Sequence, residues 1–88
     1  MGSEKFMTMA KDLVAKYAEA HLDLSDNAPD FDVYVVWFAY ILGGMKALLS
    51  TTLYDGMYYE VTYNKATKEI YLDAYKKFEN VCYKTEGE

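Results

Sequence analysis

Ten consecutive residues, Val33–Leu42 (VYVVWFAYIL), carry no charge and are nearly all β-branched or aromatic. Such a run favours a strand over a helix. Because it does not alternate with polar residues, it reads as a strand with neither face open to water. Gly43-Gly44 follows it directly and reads as a two-residue hairpin turn. Even extended to Met45 the uncharged stretch is 13 residues, short of the roughly 20 that a spanning helix needs. A membrane protein is not expected. The run must instead find its cover inside a sheet protein.

The rest of the chain supplies that sheet and one helix. Phe6, Met9, Ala10, Leu13, Val14, Tyr17 and Ala20 share one arc at helical spacing, while Lys5, Lys11, Asp12, Lys16 and Glu19 occupy the remainder. This predicts an amphipathic helix over residues 4–21, with Ser3 as N-cap and Glu4 in the first turn. Residues 22–32 hold the only proline and read as an acidic connector. Strands are predicted over 33–42, 45–53, 57–63 and 69–76. Residues 77–83 are left open between a fifth strand and a turn of helix. The predicted fold is α+β: one N-terminal helix packed on one face of a four-stranded, or five-stranded, antiparallel sheet, forming a single domain over residues 1–88. A chain of this length buries roughly 60–65% of its unfolded surface, enough for one modest core.

Side-chain parity sorts the sheet into faces, because a one-residue slip turns every side chain over. Met57, Tyr59, Val61 and Tyr63 form the apolar face of the third strand. A three-residue loop, Tyr54-Asp55-Gly56, then sets Leu53, Thr51, Leu49 and Ala47 beside them. A four-residue loop, Lys65 to Lys68, adds Ile70, Leu72 and Ala74, and the glycine turn adds Leu42, Tyr40, Phe38, Val36 and Tyr34. The helix is expected on that inner face. The outer face then carries Val33, Val35, Trp37, Ala39 and Ile41 beside Lys46, Leu48, Ser50 and Thr52. Tyr58, Glu60, Thr62, Tyr71, Asp73 and Tyr75 complete it. One helix covers one face of such a sheet. An apolar patch through Trp37 and Leu48 is a liability on a monomer, so a partner, a ligand, a second subunit or the C-terminal segment is expected to cover it.

Charge narrows the choice of partner. Fourteen acids stand against nine bases, all lysine, for a net charge of −5. Without arginine the chain lacks the residue best suited to forked phosphate contacts, so nucleic acid is disfavoured as a partner. Ten tyrosines and one tryptophan point the other way, to an interface, since both side chains offer large, stiff contact area with a polar tip. The candidate binding residues are therefore Trp37, Leu48, Tyr58, Tyr71 and Tyr75, with Glu60 and Asp73 as polar anchors.

Other chemistry finds little footing. Asp23, Ser25, Asn27 and Asp30 have a calcium-loop spacing, but the turn glycine and the closing bidentate glutamate are missing. His21 and Cys82 are the only His–Cys pair, with no third group to orient them. A lone thiol leaves no intrachain disulfide and fits a reducing compartment. The opening stretch lacks a leader's basic and apolar regions, and Phe6 spoils a myristoylation pattern. Glu60 and Asp73 raise a carboxylate pair, for which solvated or lysine-paired acids are the simpler reading. No metal, no cofactor and no catalytic residue is expected, and the cytoplasm is the expected location.

Several strings together resemble a known family. They are Val36-Trp37-Phe38, the stretch from Met45 to Thr52 (MKALLSTT), Asp55 to Asn64 (DGMYYEVTYN) and Tyr71 to Asn80 (YLDAYKKFEN). The chain resembles a family of short, uncharacterised proteins carried by phages and prophages of Gram-positive bacteria, defined only as a domain of unknown function. The likeness runs from Phe6 to Val81 and departs at Gly43-Gly44, where relatives are expected to carry bulkier polar residues. It transfers no active site. It implies a phage setting in a bacterial host cell and, by analogy, a non-enzymatic homodimer that inhibits a host defence by binding a protein or sequestering a small ligand. The alternative is an accessory nucleic-acid-binding protein of a phage replication or recombination module, using aromatic stacking with Lys46, Lys76 and Lys77.

Overall fold

A computed structural model describes residues 1–21 and 30–87. Helix α1 spans Ser3–His21, followed by strands β1 (Val33–Ile41), β2 (Gly44–Thr51), β3 (Met57–Asn64) and β4 (Glu69–Lys76). The strands form one antiparallel sheet in the order β1-β2-β3-β4, and α1 packs across β1, β2 and β3. This is the predicted α+β fold, with four strands. The candidate calcium ligands fall outside the described residues except Asp30, which is exposed.

The helix starts one residue earlier than predicted. The Phe6 amide donates to the Gly2 carbonyl at 3.0 Å, which makes Gly2 the N-cap and Ser3 the first helical residue. At the other end the His21 Nδ1–H donates to the Tyr17 carbonyl at 2.8 Å, and the two rings stack with centroids 4.2 Å apart. Phe6, Ala10, Val14 and Ala18 are the buried helix residues, a strict four-residue repeat. The alanines bring the helix axis close to the sheet while Phe6 and Val14 fill the space between. They meet Met45, Ala47, Leu49, Tyr59, Val61 and Tyr63, the buried centre of β2 and β3. Burying each large side chain there contributes about 1.5–3 kcal/mol. Phe6 also meets Phe38 of β1, and Tyr17 meets the edge of Tyr59, with centroids 6.0 and 5.7 Å apart.

Two of the three hairpins shift their register by two residues. In β1–β2 the loop is Leu42-Gly43, with Gly43 at a φ of 85°, and Ile41 pairs with Gly44. Gly44 belongs to the strand because its α-hydrogen side lies against the Tyr63 carbonyl; a Cβ there would collide with that oxygen. In β2–β3 the observed pairs are Met45↔Tyr63, Ala47↔Val61 and Leu49↔Tyr59, two residues away from the predicted register. The loop is longer because hydroxyl and carboxylate groups take local bonds that compete with the ladder. The Ser50 hydroxyl donates to the Met57 carbonyl, Thr51 Oγ1 accepts from the Leu53 amide, and Asp55 Oδ1 accepts from the Met57 amide. A shift of two leaves every side chain on its predicted face. The β3–β4 register, Asn64↔Glu69 around residues 65–68, is as predicted, with Asn64 Oδ1 accepting from the Ala66 and Thr67 amides.

Strand β1 departs furthest from expectation. It lies at one edge of the sheet, and most of its residues are exposed rather than closed off on both faces. A bulge at Val36 separates Val35↔Leu49 from Trp37↔Leu48. The extra residue reverses parity upstream, so Val33 and Val35 pack toward the core and Tyr34 joins the outer face. Leu42 is fully exposed in the turn rather than part of the inner face. Residues 77–87 form neither a fifth strand nor a helix turn; one ladder bond, Lys77 amide to Gly56 carbonyl at 2.7 Å, continues past β4. Phe78, 97% exposed, leaves the sheet uncovered.

Candidate interaction face

The register brings the predicted residues together. Trp37 pairs with Leu48, Leu48 with Glu60, and Glu60 with Asp73, so these four form one row across the outer face. A second row runs Tyr34, Ser50, Tyr58 and Tyr75; a third runs Ala39, Lys46, Thr62 and Tyr71. All seven candidate residues thus occupy three adjacent rows. Trp37 is 39% exposed, Tyr71 48% and Tyr75 53%, while Leu48, Tyr58 and Glu60 are half-buried by their neighbours. Among the described residues nothing lies over this face.

Its electrostatics are uneven. Lys46 Nζ lies 3.3 Å from Glu60 Oε1, a diagonal pair between neighbouring rows. Glu60 sits directly opposite Asp73, and Asp73 has no lysine within ion-pairing distance among the described residues. Like charges directly opposite each other destabilise a sheet. The row therefore ends in an uncompensated carboxylate flanked by Tyr71 and Tyr75. A hydrogen bond to Glu69, and its charge, push the Tyr71 hydroxyl pKa above its ordinary value. Aromatic area around acceptor-only groups suits a partner that brings a flat or apolar surface and a positive charge.

Tyr34 is the contact residue that sequence reasoning missed, because nothing in VYVVWF marks the bulge that turns it outward. With Ser50, Tyr54, Tyr58 and Lys77 it lines an open recess of about 560 Å³ at one end of the face. Two of the hydroxyls around it have local partners: Ser50 donates to the Met57 carbonyl, and Thr52 Oγ1 accepts from the Asp32 amide at 2.9 Å. A smaller recess of about 250 Å³ lies at the helix end of the inner face, between Tyr17, His21, Asp55, Tyr59 and Lys76. There burial, then the Asp55 and Tyr17 charges, push the Tyr59 hydroxyl pKa up.

The His21 ring is taken up by the helix end, and Cys82 stands exposed in the C-terminal segment. The described residues contain no cluster of metal-ligating side chains, no buried polar atom without a hydrogen bond, and no helix long and apolar enough to cross a membrane. Residues 7–85 match a family described as a family of unknown function (DUF6275). No curated protein and no solved structure matches the chain.

Proposed function

The chain belongs to that family of unknown function, and we propose that it is a non-enzymatic, homodimeric binding protein whose working surface is the outer sheet face. The observation that supports this is the row Trp37–Leu48–Glu60–Asp73, flanked by Tyr58, Tyr71 and Tyr75 and left uncovered. In the phage or prophage setting that the sequence resembles, its role is to inhibit a host defence system by capturing a protein or a small ligand. A basic, partly aromatic surface is the chemistry this face receives best. The carboxylate of Asp73 meets the charge, and the aromatic rings exclude water around it.

The nucleic-acid alternative has weaker support. Lys46, the one lysine within the three rows, is engaged by Glu60, and Asp73 would repel a phosphate. Host lysate fractions enriched in defence proteins are expected to yield a protein retained by the immobilised wild-type chain, and Tyr58→Ala with Asp73→Lys is expected to abolish its retention. Retained binding in that double variant would reject the face. Binding of a single-stranded oligonucleotide that weakens steeply with salt would favour the alternative.

A further inference from the structure

The two edges of the sheet are chemically unlike. β4 carries Glu69, Asp73 and Lys76, whereas β1 has no charge in nine residues. Every edge strand offers unpaired amides and carbonyls to another strand, and charged residues are the usual defence against that. β1 lacks the defence except for its bulge, and it leaves Trp37, Tyr40 and Ile41 exposed beyond that bulge. From these observations we propose that the Trp37–Ile41 segment of β1 pairs antiparallel with the same segment of a second copy, joining two sheets into one of eight strands.

Self-pairing has a strict geometric rule. In a continuous sheet the two-fold axis stands perpendicular to it, so inner residues face inner residues and outer face outer. With Ala39 on the axis, Trp37 stands opposite Ile41 of the second copy on the outer side. Phe38 stands opposite Tyr40 on the inner side. Both are aromatic pairings of the kind that stabilise a ladder. The bulge at Val36 ends the ladder at a defined point. For axes at the centre of the strand the same rule disfavours β4. An axis at Asp73 sets two aspartates face to face, an axis at Leu72 sets them diagonally adjacent, and an axis at Tyr71 sets Asp73 against Glu69. For a chain of net charge −5, the uncharged edge is the one that a second copy approaches without repulsion.

This inference rests on the dimer part of the proposed function and shares only Trp37 with the face part. Light scattering on the full chain is expected to give twice the 10.1 kDa of one copy. Ala39→Lys is expected to return it to a monomer with an unchanged far-UV circular dichroism spectrum, while Ala74→Lys on the opposite edge keeps the dimer. Should Ala39→Lys fail to fold, Ala39→Cys in a Cys82→Ser background is expected to oxidise to a covalent dimer, and Ala74→Cys in that background is not. A monomeric wild type overturns the dimer altogether. A dimer that survives Ala39→Lys, or cross-links through Ala74→Cys instead, overturns the β1 edge alone. Assemblies larger than a dimer would mean β1-to-β4 stacking and also overturn it. Loss of partner binding at unchanged mass bears only on the face.

Discussion

The two faces of this sheet are made from the same strands yet solve opposite problems. On the inner face, Met45, Ala47, Leu49, Tyr59, Val61 and Tyr63 are sealed under a helix whose fully buried stripe is Phe6, Ala10, Val14 and Ala18, with Met7 and Tyr17 packed beside it. On the outer face, residues one step along each strand present Trp37, Leu48, Tyr58, Tyr71 and Tyr75 around two opposed carboxylates. The inner face is close-packed, and the outer is left open, as the proposed binding role requires. Stability should therefore reside almost wholly on the first, and the second should tolerate change or even gain from it.

That contrast is open to measurement. Phe6→Ala should cost about 3–5 kcal/mol in chemical denaturation, the usual loss for a buried aromatic; a cost below 1 kcal/mol would mean that the helix does not hold the inner face. On the outer face Asp73→Asn should raise stability by roughly 0.2–1 kcal/mol by relieving the charge directly opposite Glu60. A loss instead would show Asp73 to be structural rather than poised for a partner. The smallest effect is confined to alkaline pH. Burial, with the nearby Asp55 and Tyr17 charges, holds the Tyr59 hydroxyl pKa above the ordinary tyrosine value of 10.0, so the native state holds its proton more tightly than the unfolded one. Its contribution is full below pH 10 and is lost as pH rises through the folded value. Tyr59→Phe should accordingly flatten the fall in stability above pH 10, and an unchanged slope would place the titrating group elsewhere.

Parity made most of this legible. Once the period of two is set in β3, the faces of β2 and β4 follow, and they survived a two-residue error in the β2–β3 register because such an error is invisible to alternation. The same logic failed upstream of Trp37. The bulge at Val36 is formed without glycine or proline, so no residue announces the extra position that moves Tyr34 outward and Val33 and Val35 inward. The edge placement of β1 could not be read from the pattern at all, because periodicity reports which faces are apolar and not which strand flanks which. The Leu42-Gly43 turn was missed because both glycines fit a loop equally well until the Tyr63 carbonyl claims the space beside Gly44.

The sheet order β1-β2-β3-β4 also has a kinetic consequence. Each strand's partner is the next one along the chain, so the sheet can zip hairpin by hairpin without closing a long loop first. Only the helix must wait. Made first on the ribosome, α1 finds no complete floor until Met57–Asn64 has emerged, and until then its Phe6–Val14 stripe is exposed to whatever else is nascent. Helix docking, late and non-local, is therefore the step at which this chain should be slowest to fold and most prone to misassociate.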